Sequence, residues 1–158
     1  MIKTAVVCFF DAFPAKSGSG VVCCDFFKSW PNKKKKLFQM STIASKRKNI
    51  VNIRLIKNSP IFKILNIPSL IYKILKYFDN SKNNLLIIEG PSWIFYTYLV
   101  FTYFRLFKKK TFLIYRSHSV EYEIRIKNSN ILISLITWYC ERQVYRMSNI
   151  STTVSNLE

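Results

Sequence analysis

A chain of 158 residues that is 49% apolar and 21% charged is one domain's worth of sequence with enough apolar matter for a core, which excludes a disordered tail or linker. Its 25 lysines and arginines against 8 acids leave a net charge of +17, which implies an anionic partner: nucleic acid, an anionic membrane or a phosphorylated ligand. A coding bias toward Lys, Asn and Ile accounts for that charge equally well, with most lysines then solvating the surface.

The first element is the apolar run Thr4-Ala5-Val6-Val7-Cys8-Phe9-Phe10, expected as a strand buried on both faces and ended by Asp11. Asp11 also interrupts the run too early for a signal peptide. Pro14 and Ser17-Gly18-Ser19-Gly20 then predict a flexible loop before a helix over 21–30, closed by Pro31. A glycine-rich loop before a helix exposes N–H groups to an anion, but the spacing is not G-x-G-x-x-G, and taken alone it reads as an ordinary loop.

Lys33, Lys34, Lys35 and Lys36 precede a strand at 37–42, and a second strand follows at 50–56 after a short basic turn. The turn is too short for a helical crossover, so an antiparallel pair at a sheet edge is expected. Pro60 and Pro68 bracket an irregular apolar segment, after which Ser69 is expected to cap a helix through Phe78 with Leu70, Ile74, Tyr77 and Phe78 on one side. Leu85-Leu86-Ile87-Ile88 is the next buried strand and ends in Glu89-Gly90-Pro91. The aromatic segment 93–107 is helical in length and too short to span a bilayer. It reads as a core helix; a membrane-surface helix is the sharper alternative, helped by Lys108, Lys109 and Lys110.

Leu113-Ile114-Tyr115 opens a strand that turns polar through Arg116, Ser117, the single histidine His118, and Glu121. Asn128-Ser129-Asn130 then starts a long helix over 131–147, with Leu132, Leu135, Ile136, Tyr139, Cys140, Val144 and Met147 expected on its core face. A last β-prone run covers 149–155.

Strand–helix alternation implies an α/β fold, Rossmann-like, with a mostly parallel sheet and helices on both faces. In such a sheet Asp11, Glu89, His118 and Glu121 fall at carboxyl ends of strands beside residues 17–20, while the lysine runs at Lys33 and Lys108 lie on the opposite edge. That segregation supports a ligand site at the acidic edge without naming the ligand. His118 is as consistent with a structural role as with a catalytic one, and Glu121 with a cap or salt bridge. No G-x-S-x-G elbow and no Walker loop is present. Cys8, Cys23, Cys24 and Cys140 show neither a C-x-x-C pair nor metal-ligand spacing with His118, so buried thiols in a reducing compartment are expected and no metal. Nucleic-acid binding rests on charge alone and is not favoured.

Taken together and in order, Ser17-Gly18-Ser19-Gly20, Glu89-Gly90-Pro91, Tyr115-Arg116-Ser117-His118-Ser119-Val120-Glu121-Tyr122 and Glu141-Arg142-Gln143-Val144-Tyr145-Arg146 before Thr152-Thr153-Val154-Ser155 resemble the N-terminal domain of GT-B glycosyltransferases, family-four-like. The resemblance spans essentially the whole chain, residues 1–158 as a single domain, the first half of a GT-B fold. It implies metal-free, retaining transfer of a sugar from a nucleotide-sugar donor to a glycan or lipid-linked acceptor of the cell envelope, with no cofactor. It implies that Ser17, Gly18, Ser19 and Gly20 approach the donor diphosphate and that His118 faces the donor sugar, with Glu121 as its catalytic companion. Asp11, Glu89, Gly90, Arg116 and Ser155 would be further cleft residues. The family motif usually carries Asn where Ser119 stands. The family's C-terminal donor-binding domain, with its paired glutamates, lies outside these residues, so this chain alone is expected to be inactive and to need a separate C-terminal domain. The expected location is cytoplasmic, or peripheral at the inner membrane face. The other reading is a non-catalytic basic module that binds anions or an anionic membrane surface.

Overall fold

The structure is a computed structural model of the chain; it describes residues 2–43, 45, 47–79, 83–90, 92–117, 127 and 129–153. Six strands form one sheet: β1 (Lys3–Cys8), β2 (Lys35–Ser41), β3 (Ile50–Arg54), β4 (Asn84–Glu89), β5 (Thr111–Ser117) and β6 (Ile150–Thr153). They lie in the order β3-β2-β1-β4-β5-β6, and every neighbouring pair is parallel. The fold is α/β and Rossmann-like. Among the described residues the helices with assigned bounds are α1 (Gly18–Ser29), α2 (Pro60–Leu65), α3 (Ile67–Phe78), α4 (Ile94–Phe107) and α5 (Ile131–Met147).

Alternation along β1 assigns the layers. Val6 and Cys8 pack with Cys23, Cys24 and Phe27 of α1 on one face. Ala5 and Val7 pack on the other with Leu70 and Ile74 of α3, Val100 and Phe101 of α4, and Val144 of α5. Both faces of β1 are therefore covered, which is why it reads as an unbroken apolar run. In β5 the faces differ: Thr111, Leu113, Tyr115 and Ser117 are buried, whereas Phe112 is exposed and Ile114 and Arg116 are half-buried.

Several local expectations are corrected. β2 and β3 pair parallel, not antiparallel, with Leu37 opposite Ile50. Residues 42–49, fully extended, reach roughly 26 Å, more than the return along a five-residue strand requires, so no helix is needed. The returning backbone is held by Ser41 Oγ, which accepts from Ile43 N at 2.9 Å, and by Leu37 N, which donates to Asn49 O at 2.9 Å. The segment expected to be irregular after Pro60 is the short helix α2, with proline at its start where a missing N–H costs nothing. Ser69 does not cap α3: the helix begins at Ile67 with Asn66 at its N-cap position. α4 is the expected core helix, with Ile94, Val100, Phe101 and Phe104 buried and only its last turn exposed. No helix among the described residues is long and apolar enough to cross a membrane.

The largest departure is the rotation of α5. Of its expected core residues Cys140 and Val144 are buried and Ile136 and Met147 half-buried, but Leu132, Leu135 and Tyr139 are exposed, and Ser134, Thr137 and Glu141 are buried in their place. The inward hydroxyls are satisfied. Trp93 Nε1 on the approach to α4 donates to Thr137 Oγ1 at 3.0 Å, Thr137 Oγ1 donates to Ile133 O, and Ser134 Oγ donates to Asn130 O. Small side chains on this stripe let the two helices lie close, and bonded hydroxyls remove the usual penalty for burying them.

Candidate functional site

In a parallel sheet of this order the direction of chain progression reverses between β1 and β4, and ligands of open α/β sheets bind outside the carboxyl ends of the strands at that reversal. The segments leaving β1 and β4 bring Asp11, residues 17–20, Glu89 and Gly90 to this crevice.

The α1 start is built by its own sequence. Ser17 is extended and caps the helix, its Oγ accepting from Gly20 N at 3.2 Å. Gly18, Ser19 and Gly20 are thus the first turn of α1 rather than a free loop, and the helix starts three residues earlier than expected. No described glycine has a positive φ, so these glycines matter for space. A Cβ on Gly20 would lie 2.9 Å from Asp11 O, which ties the first turn of α1 to the segment leaving β1. A Cβ on Gly18 would meet nothing within 4 Å, so packing does not demand glycine there.

The segment leaving β1 is fixed from below by a residue that sequence reading passed over. Gln39, fully buried in β2, accepts from Phe13 N at 2.9 Å and Ala12 N at 3.2 Å, and its Nε2 donates to Phe13 O and to Asn52 Oδ1. Asn52 Nδ2 in turn donates to Ser45 O. This amide relay, spanning two strands, replaces the mobility that the Pro14 and glycine signals suggested; the Phe13–Pro14 bond is cis.

Glu89 and Arg116 end adjacent strands in register. Glu89 Oε1 and Arg116 Nη1 are 2.5 Å apart, with the carboxylate side chain fully buried and the guanidinium side chain 15% exposed. The guanidinium lies 3.6 Å above the ring of Phe26 on α1. Arg116 is therefore drawn beneath α1 rather than aimed out of the crevice. Gly90 lets the two strand ends close: Gly90 N donates to Arg116 O at 2.7 Å, and a Cβ there would fall 2.6 Å from that same oxygen.

A second cation at this edge also escaped the sequence reading. Lys63 of α2 is half-buried with its Nζ 5.9 Å from the ring centre of Tyr96. Burial lowers its pKa from the ordinary lysine value, and the negative charge of Asp11 partly restores it. A lysine on a short apolar helix looks like any solvated lysine until the fold sets it beside Tyr96 and the charge of Asp11. Under α1, the Cys23 thiol is pushed well up by its hydrogen bond with Cys8, then by burial, then by charge repulsion, including that of Glu89.

Catalytic candidates His118 and Glu121, and Ser155, lie outside the described residues. Of the remaining expected site residues, Asp11, Ser17, Gly18, Ser19, Gly20, Glu89 and Gly90 are brought to one edge, and Arg116 is brought there as the partner of Glu89. No group of His, Cys, Asp and Glu that could hold a metal ion is found among the described residues. The arrangement offers N–H groups at a capped helix start, a half-buried lysine and a rigidly held floor, which suits an anionic ligand better than proton-transfer chemistry by Glu89. No protein-family model matches the chain, and no curated protein does either.

Proposed function

We propose that this chain is the acceptor-side half of a retaining GT-B glycosyltransferase, family-four-like, which moves a sugar from a nucleotide-sugar to a glycan or lipid-linked acceptor of the cell envelope and turns over only with a donor-binding domain. The observation that carries the reading is the meeting of Ser17–Gly20, Asp11 and Glu89-Gly90 at the reversal between β1 and β4. Two of the motifs that resemble the family, residues 17–20 and Glu89-Gly90, thus lie at the crevice in which α/β sheets bind ligands.

In this reading the first turn of α1 approaches the donor diphosphate, its N–H groups stabilising the charge that grows on the leaving phosphate. Gly18, with open space where a side chain would stand, permits that approach. Lys63 adds positive charge from the flank. His118 faces the donor sugar and Glu121 assists it. Glu89 and Arg116 position: their ion pair fixes the ends of β4 and β5, from which the His118 segment departs.

The test is a nitrogen–proton NMR titration of the chain with UDP-, GDP- and ADP-sugars. The reading expects shifts concentrated on the amides of residues 17–20 and their loss in Gly18→Asp, where a carboxylate has room but repels phosphate. Titrations with all three donors that leave those amides unmoved sink the proposed contact between α1 and the donor diphosphate.

A further inference from the structure

We propose that the amino edge of the sheet, opposite the crevice, is a docking surface for an anionic lipid bilayer. Because every strand is parallel, the segments preceding them emerge together. Lys33 and Lys34 before β2, and Lys108, Lys109 and Lys110 before β5, are all exposed there. Lys76, in the last turn of α3, joins them. Two further lysines of this edge are already bound: Lys3 Nζ donates to Tyr77 O and Asp79 O, and Lys35 Nζ to Lys28 O and Trp30 O.

Charge is only half of the surface. The last turn of α4 runs out past the edge and carries Leu106 and Phe107 at 62% and 66% exposure, directly before the three lysines. Tyr72 of α3 stands across from them, 65% exposed. Between α3 and α4 lies an open groove of about 1230 Å³ floored by Leu75, Phe78 and Phe104, with Asp79 as an acid on its rim. Exposed apolar anchors interleaved with cations are what an interfacial surface requires: the side chains enter the acyl boundary while the ammonium groups stay among anionic headgroups. A nucleic acid fits less well, since its recognition favours planar guanidinium groups, and the cations that line this groove, Lys76 and Lys108 to Lys110, are all lysines.

Docking by this edge orients the molecule. The six residues of β4 separate the two edges by roughly 20 Å, so the crevice faces away from the bilayer into water. The proposal stands independently of the sugar-transfer reading, which concerns the other edge.

The experiment is co-sedimentation of the whole chain with vesicles of phosphatidylcholine alone and with phosphatidylglycerol added. Binding to the anionic vesicles only, fading as salt rises, is expected. Each lysine at such a surface is worth about fivefold at low salt, so Lys108→Gln/Lys109→Gln/Lys110→Gln together should weaken binding about a hundredfold. Leu106→Ser/Phe107→Ser should weaken it with the charge unchanged. A control set, Lys16→Gln/Arg54→Gln/Lys57→Gln, removes equal charge from exposed positions at the other edge and should bind nearly as the parent does. All these positions are exposed, so folding is not at stake, and circular dichroism checks it. Equal loss in the control set, indifference to Leu106 and Phe107, or binding to neutral vesicles each overturns the proposal. So does a preference for poly(U) RNA over anionic vesicles.

Discussion

The two edges of the sheet are made of opposite materials, although the same strands supply both. At the carboxyl edge, ionisable and polar groups are buried and bonded: Glu89 to Arg116, Gln39 to the backbone of Ala12 and Phe13, and Gly20 and Gly90 pressed against neighbouring chain. At the amino edge, charge is exposed and the apolar residues beside it face solvent. One edge is held in a single geometry, and the other has little geometry to lose. Substitutions at the first should therefore cost stability, and substitutions at the second should cost binding.

The largest expected effect tests the buried ion pair. Arg116→Met takes the guanidinium from a fully buried carboxylate, for which a loss of about 3–5 kcal/mol is expected. Urea denaturation reads it. Glu89→Gln/Arg116→Met, which removes both charges, should recover a good part of the loss. A double variant no better than Arg116→Met would mean that packing on Phe26, not charge, is what Arg116 contributes. By contrast Lys108→Gln/Lys109→Gln/Lys110→Gln should stay within about 0.5 kcal/mol of the parent, since these side chains are exposed.

Next in size are the glycines. Gly90→Ala sets a Cβ 2.6 Å from Arg116 O, and Gly20→Ala sets one 2.9 Å from Asp11 O. Both obstacles are backbone and must be moved, so each should cost about 1–3 kcal/mol, the first more than the second. Calorimetric Tm values for the pair check the ranking.

A smaller effect appears in alkali. Burial pushes the Cys140 thiol from its ordinary 9.0 up to about 11. Between those values the unfolded chain releases a proton that the folded one keeps, so the associated stability is full below pH 9 and lost as pH approaches 11. Cys23, pushed up more strongly, acts in the same direction. Cys140→Ala should flatten the fall in stability across that window; a parent and variant with parallel pH profiles would count against it.

How much of this the sequence carried depended on how local the determinant was. Asp11 just past the end of β1, Glu89 at the end of β4, and the lysines before β2 and β5 follow from runs of a few residues, and parallel topology then sorts them to opposite edges. The Glu89–Arg116 pair needs the register of β4 against β5, which no local pattern encodes. Gln39 looked like one more residue of an apolar strand, because only the fold brings it under the backbone of Phe13. In α5 the local signal was right for Cys140 and Val144, which are buried, and for Ile136 and Met147, which pack on the core, but wrong for the rest. Apolar periodicity selected Leu132, Leu135 and Tyr139 as core, yet Thr137 and Ser134 face inward because Trp93 and the helix's own carbonyls satisfy them. Periodicity measures which side chains avoid water and not which ones a neighbour has bonded.

The smallest stability effect is the most informative about function. Gly18 opens α1, and its missing Cβ leaves empty space rather than relieving a contact. Gly18→Ala should therefore be neutral or stabilising by roughly 0.5 kcal/mol, because alanine has less conformational freedom to lose in the unfolded chain. Gly20→Ala, two residues on in the same turn, should destabilise. If glycine stands at position 18 so that a diphosphate can approach the helix start, Gly18→Ala should weaken the nucleotide-sugar shifts at residues 17–20 while the protein melts no lower. Unchanged shifts together with an unchanged Tm would leave Gly18 without a role in binding and move the proposed contact to Lys63.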